Sequence, residues 1–291
     1  MIDVKNVTYS YNRTPVLNGL NLHEAEPVIT GLWGRNGAGK TTLMSLLAGH
    51  FKPNSGEIHV LGQDPYNNLN ALENICYIQE NHPFGQHWKM TDVLEFGRYF
   101  HKDWDQNLAE HLTDLFELPK KKKITKFSKG MRTAAQIILG LASNAKITIL
   151  DEPTNGLDAV KRKQFYDALL TSYEDNPRYF LISTHHIEEI QPLCESLVVV
   201  HDGHILLQEQ MDEIRGRGII LSGEVSSVEK ATENERVLET VKMRSTVRVM
   251  IDEVFSPEWK TIATDQNLAI EQASLQDYLI NLTTNKKGVQ L

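Results

Sequence analysis

The sequence predicts an α/β fold, with a mixed β/α core, an antiparallel β subdomain, a helical subdomain and a small C-terminal α+β appendix. Three observations carry this. A glycine-rich segment, Gly34 to Thr42, stands between an apolar run and a stretch with helical spacing. Short continuous apolar runs at Ile147–Leu150, Tyr179–Ser183 and Ser196–His201 have the character of buried parallel strands. From about Thr91 to Ala142 the apolar residues instead recur at three and four residues, the period of a helix.

Taken in order, Met1–Ser10 and Val16–Leu22 read as strands, and Glu26–Leu32 as an apolar run ending at Gly34. Thr41–Gly49 puts Leu43, Leu46 and Leu47 on one helical face. Pro53-Asn54-Ser55-Gly56 is a turn and Glu57–Val60 a further strand, so the first part of the chain reads as a small antiparallel sheet around one buried strand. The helical insert, about residues 85–143, is marked by Val93, Leu94 and Phe96 and then by Leu108, Leu112, Leu115 and Phe116. Helices are expected at Ala159–Tyr173 and Ile187–Cys194, and Asp202-Gly203 between two apolar runs is a hairpin signal. Beyond Gly216, the segments Gly218–Leu221, Val228–Val241 and Thr246–Ile251 suggest a strand–helix–strand unit, closed by a helix near Leu275–Leu282. The expected division is therefore 1–215 for the main domain and 216–291 for an accessory region.

Composition limits the function. The chain has 291 residues, 41% hydrophobic and 23% charged, which fits a folded core rather than general disorder. A net charge of −8 argues against a coat for nucleic acid, whose footprint is basic. No apolar stretch approaches the roughly 20 residues needed to span a bilayer, and the start carries no secretion signal. Cys76 and Cys194 lie in apolar segments and read as buried free thiols of a reducing cytosol. Any membrane role must be borrowed from another chain.

Gly34-Arg-Asn36-Gly37-Ala38-Gly39-Lys40-Thr41-Thr42 fits G-x-x-x-x-G-K-[ST], after a predicted strand and opening a predicted helix, as that motif demands. Glycines let the backbone curl so that successive N–H groups face phosphate oxygens, and the helix start adds its positive end. Lys40 is placed for the β- and γ-phosphates of ATP and the Thr41 hydroxyl for Mg²⁺. A second half is needed to hold the metal and prepare a water. Ile147-Thr-Ile-Leu150-Asp151-Glu152 supplies it, a strand ending in two carboxylates at the crevice where open α/β sheets bind ligands. Asp151 is read as a metal ligand and Glu152 as the group polarising the attacking water.

Further segments narrow this to a family. Phe127-Ser128-Lys129-Gly130-Met131 opens a helix upstream of Asp151, Thr154-Asn155-Gly156-Leu157-Asp158 follows Pro153, and Ser183-Thr184-His185 closes the next apolar strand. The set, in this order and spacing, resembles the ATP-binding cassette (ABC) ATPases over about residues 1–215. The resemblance implies that Tyr11 stacks on adenine, although neighbouring Tyr9 competes for that role. It implies that Ser128 and Gly130 touch the γ-phosphate held by an opposite protomer, that Asp158 communicates across the dimer, and that His185 bonds the γ-phosphate and catalytic water. It also implies a second ABC subunit, identical or different, and a separate transmembrane permease subunit at the cytoplasmic face of the cell membrane.

Two departures stand out. The signature reads FSKGM where many members have L-S-G-G-Q, a form resembling bacterial exporters of antibiotics, peptides, ions and lipids. The family expects a glutamine after the strand Ile75–Ile78, reaching Mg²⁺ and the water while sensing the membrane subunit. Here Gln79 and Glu80 both fit, with Gln79 slightly favoured. Lys120 to Lys123 read as a solvated loop, with anionic lipid or an acidic membrane-subunit segment as the alternative. The implied function is an exporter ATPase, with peptide export the preferred cargo. The rival readings are a soluble ABC ATPase acting on ribosomes or DNA, and a nucleotide kinase. The first usually carries two cassettes or a long coiled-coil insert, whereas Lys40 and Ser128 here are 88 residues apart. The second would need an Arg-rich lid.

Overall fold

The computed structural model describes residues 1–284. Strands β1 (Ile2–Tyr11) and β2 (Thr14–Glu24) are antiparallel, turned through Asn12 and Arg13 at positive φ. β3 (Ile29–Trp33) leaves that pair and is buried throughout. After α1 (Lys40–Leu47), β4 (Ser55–Val60) returns to β1, giving a first sheet of order β2-β1-β4. α2 (Leu69–Leu72) leads to β5 (Ile75–Ile78). Three helices follow: α3 (Met90–Phe100), α4 (Gln106–Leu115) and α5 (Lys129–Ala142).

The main sheet is completed by β6 (Ile147–Asp151), β7 (Tyr179–Thr184), β8 (Ser196–His201) and β9 (His204–Gln210), with α6 (Ala159–Asp175) and α7 (Ile187–Ile190) between them. Its order is β5-β6-β7-β3-β8-β9, and β5 through β8 in that row run parallel. Parallel strands are covered on both faces, which is why β6 and β7 are apolar without alternation and buried at every position. Register brings Asp151 beside Ser183 and Trp33 beside Thr184, so three strand ends finish level at one edge. The crevice outside those carboxyl ends is where such sheets bind ligands. Asp202 and Gly203 both take positive φ and turn β8 into β9, as the pair requires in a tight hairpin. α7 stops at Ile190 rather than running to Cys194, because Pro192 has no N–H to donate back to the helix.

The chain divides into two compact units, Met1–Gln208 and a second that begins at Glu209. The second holds α8 (Met211–Ile214), β10 (Arg217–Glu224), α9 (Val225–Ala231), β11 (Val237–Met243), β12 (Thr246–Val254), α10 (Pro257–Asp265), β13 (Ala269–Gln272) and α11 (Leu275–Leu282). Its sheet is antiparallel with order β11-β12-β10-β13, the arrangement a β-α-β-β-α-β ferredoxin-like chain makes. Val228–Val241 is thus not one helix. α9 ends at Ala231, and Val237-Leu-Glu-Thr-Val-Lys-Met is a strand, since it gains a full ladder against β12 through the two-residue turn at Arg244 and Ser245. Ile219, Leu221, Val249, Ile251 and Trp259 form this unit's own core.

Candidate active site

β3 ends at Trp33 and the chain curls through six residues before α1 starts at Lys40. Gly39 has φ +109°, and a Cβ there would lie 2.7 Å from Leu17 Cδ2, so the last bend needs glycine twice over. The Lys40 side chain is buried and folds back along the loop, its Nζ donating to the Gly34 carbonyl at 2.6 Å. Burial pushes its ammonium pKa down, opposed by Glu152 and then Asp151. A cavity of about 340 Å³ opens here, lined by the loop from Arg35 to Thr42 and by Val16, Glu80, Asp151 and Glu152.

Two neighbouring strand ends supply the acids. Asp151 accepts from the Thr41 hydroxyl at 3.0 Å and from the Ser183 hydroxyl at 2.6 Å. Burial raises its pKa, and the hydrogen bonds from Ser183 and Thr41 work against that rise. Glu152 sits at φ +51°, a left-handed conformation that costs a non-glycine residue about 1–3 kcal/mol. Its N–H donates to Ser183 Oγ at 2.9 Å, which helps to fix the bend. The Glu152 carboxylate lies 2.8 Å from His185 Nδ1. Burial pushes Glu152 up, and His185 pulls it back. Ser183 thus tethers both acidic positions, one through its hydroxyl hydrogen and one through its lone pair. Sequence reasoning gave it no role, and its signal was the register that levels β7 with β6.

The pair Gln79 and Glu80 separates in space. Glu80 lines the cavity and its carboxylate accepts from Asn155 Nδ2 at 2.5 Å, whereas Gln79 is not among the lining residues. Of the two, Glu80 is the one that stands at the cavity wall. The reason is strand direction: β5 ends at Ile78, and the second residue beyond it turns toward α5, where Gln136 Nε2 donates to the Glu80 carbonyl at 3.3 Å.

Tyr11, Ser128, Gly130 and Asp158 lie outside the cavity lining. Tyr11 is 42% exposed at the end of β1, its ring edge-on to Tyr9 and Phe51. Ser128 and Asp158 cap their own helices, accepting from Met131 N–H at 3.2 Å and Lys161 N–H at 2.9 Å. Gly130 is pressed against the next loop, and a Cβ on it would lie 2.6 Å from the Gly156 carbonyl oxygen.

Residues 17–155 match the ABC transporter family model. An uncharacterized ABC transporter ATP-binding protein of Bacillus subtilis, YdbJ, is 30% identical over 92% of this chain and 91% of its own length. The chain belongs to the ABC transporter family. The bacitracin transport ATP-binding protein BcrA of Enterococcus faecalis is 28% identical, over 75% of this chain and 71% of its own. Among solved structures, the ATP-binding subunit of an ABC transporter superposes with a TM-score of 0.67 at 23% identity, covering 74% of this chain and 92% of that one. The dimeric structure of a bacterial ABC transporter cassette gives 0.64 at 20% identity, covering 72% and 99%. Both show the ABC ATPase fold. This ABC ATPase binds and hydrolyses ATP in the service of transport, and no helix among its described residues is long and apolar enough to cross a membrane.

Proposed function

We propose that this ABC ATPase powers export through a separate transmembrane permease, as one half of a dimer that closes on two ATP molecules at the cytoplasmic face of the membrane. The observation that carries the chemistry is the meeting of Lys40, Thr41, Asp151, Glu152 and Glu80 around one cavity, with His185 against Glu152. Backbone amides from Gly34 to Thr42 and the Lys40 ammonium hold the phosphates. Tyr11, exposed and flat, offers its ring to adenine. Glu152, its pKa raised toward working pH, takes the proton of the attacking water, and His185 orients that water and the γ-phosphate. Ser128, Gly130 and Asp158, held at helix starts outside the cavity, face the ATP of the opposite protomer.

Thr41 and Asp151 are hard oxygen donors 3.0 Å apart at the inner wall. Among the described residues no group of three His, Cys, Asp or Glu side chains forms a metal cage. That donor set suits Mg²⁺, which binds through one or two protein oxygens together with substrate phosphates. Mg²⁺, when bound, neutralises phosphate charge. Glu80 is the residue that reports the permease's position to the site. Export of a peptide is the cargo reading, supported by similarity to a bacitracin transport protein; similarity to the Nod factor export ATP-binding protein I of Rhizobium meliloti, 32% identical over 70% of this chain, supports the direction and not the cargo.

The test is isolation of the chain at native abundance from membranes solubilised in detergent. The chain is expected bound to an integral membrane protein, with two ATPase subunits per complex. Recovery with ribosomes or DNA instead would contradict the transport reading.

A further inference from the structure

The basic residue of the signature segment, Lys129, has a set of contacts that phosphate binding in a partner does not explain. Its Nζ stands 3.7 Å from Glu80 Oε1, the same oxygen that accepts from Asn155 Nδ2 at 2.5 Å. Its methylenes lie over Gly156, close enough that a Cβ there would come within 2.8 Å of Lys129 Cγ. One turn further along α5, the Thr133 hydroxyl donates to the Asn155 carbonyl at 2.9 Å, and one turn beyond that Gln136 holds the Glu80 carbonyl. The start of α5 therefore grips two loops, the one after β5 and the one after β6. Lys129 is the only charged member of that grip on the helix side.

From this geometry we infer that Lys129 is a positioning residue acting through Glu80: with Asn155 it holds the Glu80 carboxylate at the cavity wall. The inference rests on the proposed role of Glu80 and adds the group that sets its pose. A neutral residue at 129 leaves Glu80 on one hydrogen bond, free to swing toward solvent. The cavity that Asp151 and Glu152 line then loses a fixed carboxylate from its wall. The effect falls on turnover rather than on ATP affinity, because Lys129 does not line the cavity.

The test is a double-mutant cycle on the full-length protein: Lys129→Met, Glu80→Gln and both, with Lys129→Arg as the conservative variant, each read as kcat and KM for ATP. Lys129→Met is expected to lower kcat about threefold to fivefold, the upper range for an exposed charge pair, with KM within about twofold. In the Glu80→Gln background the same change should do nothing further, and Lys129→Arg should keep the parent kcat. An equal loss in both backgrounds would overturn the inference, as would a rise in KM in both, which marks a direct phosphate contact. No effect in the parent overturns it too. If Lys129→Met is insoluble, Lys129→Gln carries the same cycle. A parent without ATPase activity would instead count against the proposed function, and the two failures are thereby distinct.

Discussion

Gly130 illustrates how a single residue is fixed by its surroundings. No positive φ forces glycine there; the constraint is the Gly156 carbonyl oxygen, 2.6 Å from where a Cβ would stand. Backbone cannot yield as a flexible side chain does, so Gly130→Ala must separate the start of α5 from the loop after β6. The expected result is a stability loss of about 1–3 kcal/mol, the scale of overpacking, together with a fall in ATP turnover of at least about tenfold. Thermal unfolding and steady-state turnover of the variant check this, and parent-like values for both would show that the loops part at no cost. At this scale, legibility followed sequence distance. Lys40 was readable because its partner, the Gly34 carbonyl, lies within the same loop. The tether from Ser183 to Asp151 was not, because it depends on strand register. Nor was the separation of Gln79 from Glu80, since one residue more beyond a strand end changes which of the two lines the cavity.

Elements were legible where their apolar pattern had a single explanation. The strands β6, β7 and β8 read as continuous apolar runs because they are buried on both faces. The segment after Val228 failed because a stretch with apolar residues at mixed spacing satisfies helix and strand alike, and only the hairpin partner decides. Elements are also pinned to one another by polar groups, of which Glu24 is the clearest. Its carboxylate, almost wholly buried at the end of β2, accepts from Thr30 on β3 at 3.5 Å, Ser196 on β8 at 3.2 Å and Gln208 on β9 at 3.2 Å. Burial raises its pKa, and those three hydrogen bonds do not fully offset the rise. The folded state therefore binds this proton more tightly than the unfolded state. The penalty is absent below the unfolded pKa and develops as pH climbs through the folded one. Glu24→Gln, which cannot ionise, should escape it. The difference in melting temperature, variant minus parent, should rise between about pH 4 and pH 8, the window above the ordinary carboxylate value. A difference that stayed flat with pH would mean that Glu24 keeps its unfolded affinity for the proton.

On the scale of the whole molecule, every residue assigned to nucleotide chemistry lies in the first unit, while the second has a ferredoxin-like sheet with its own core. A fold of that kind hosts many functions and assigns none by itself. The relation to YdbJ extends over 92% of the chain, so the second unit is part of what the two proteins share. In the proposed mechanism Glu152, at the end of β6, activates the water that the first unit uses to hydrolyse ATP. The most direct measurement is ATP binding and turnover of Glu152→Gln beside the parent, at the same magnesium concentration. The substitution keeps size and polarity but removes the base, so ATP affinity should stay within about threefold, under roughly 1 kcal/mol. Turnover should fall by at least about a hundredfold, the scale of a lost general base. A variant that binds ATP as the parent does and hydrolyses it within about tenfold of the parent rate would place the base elsewhere and contradict the account.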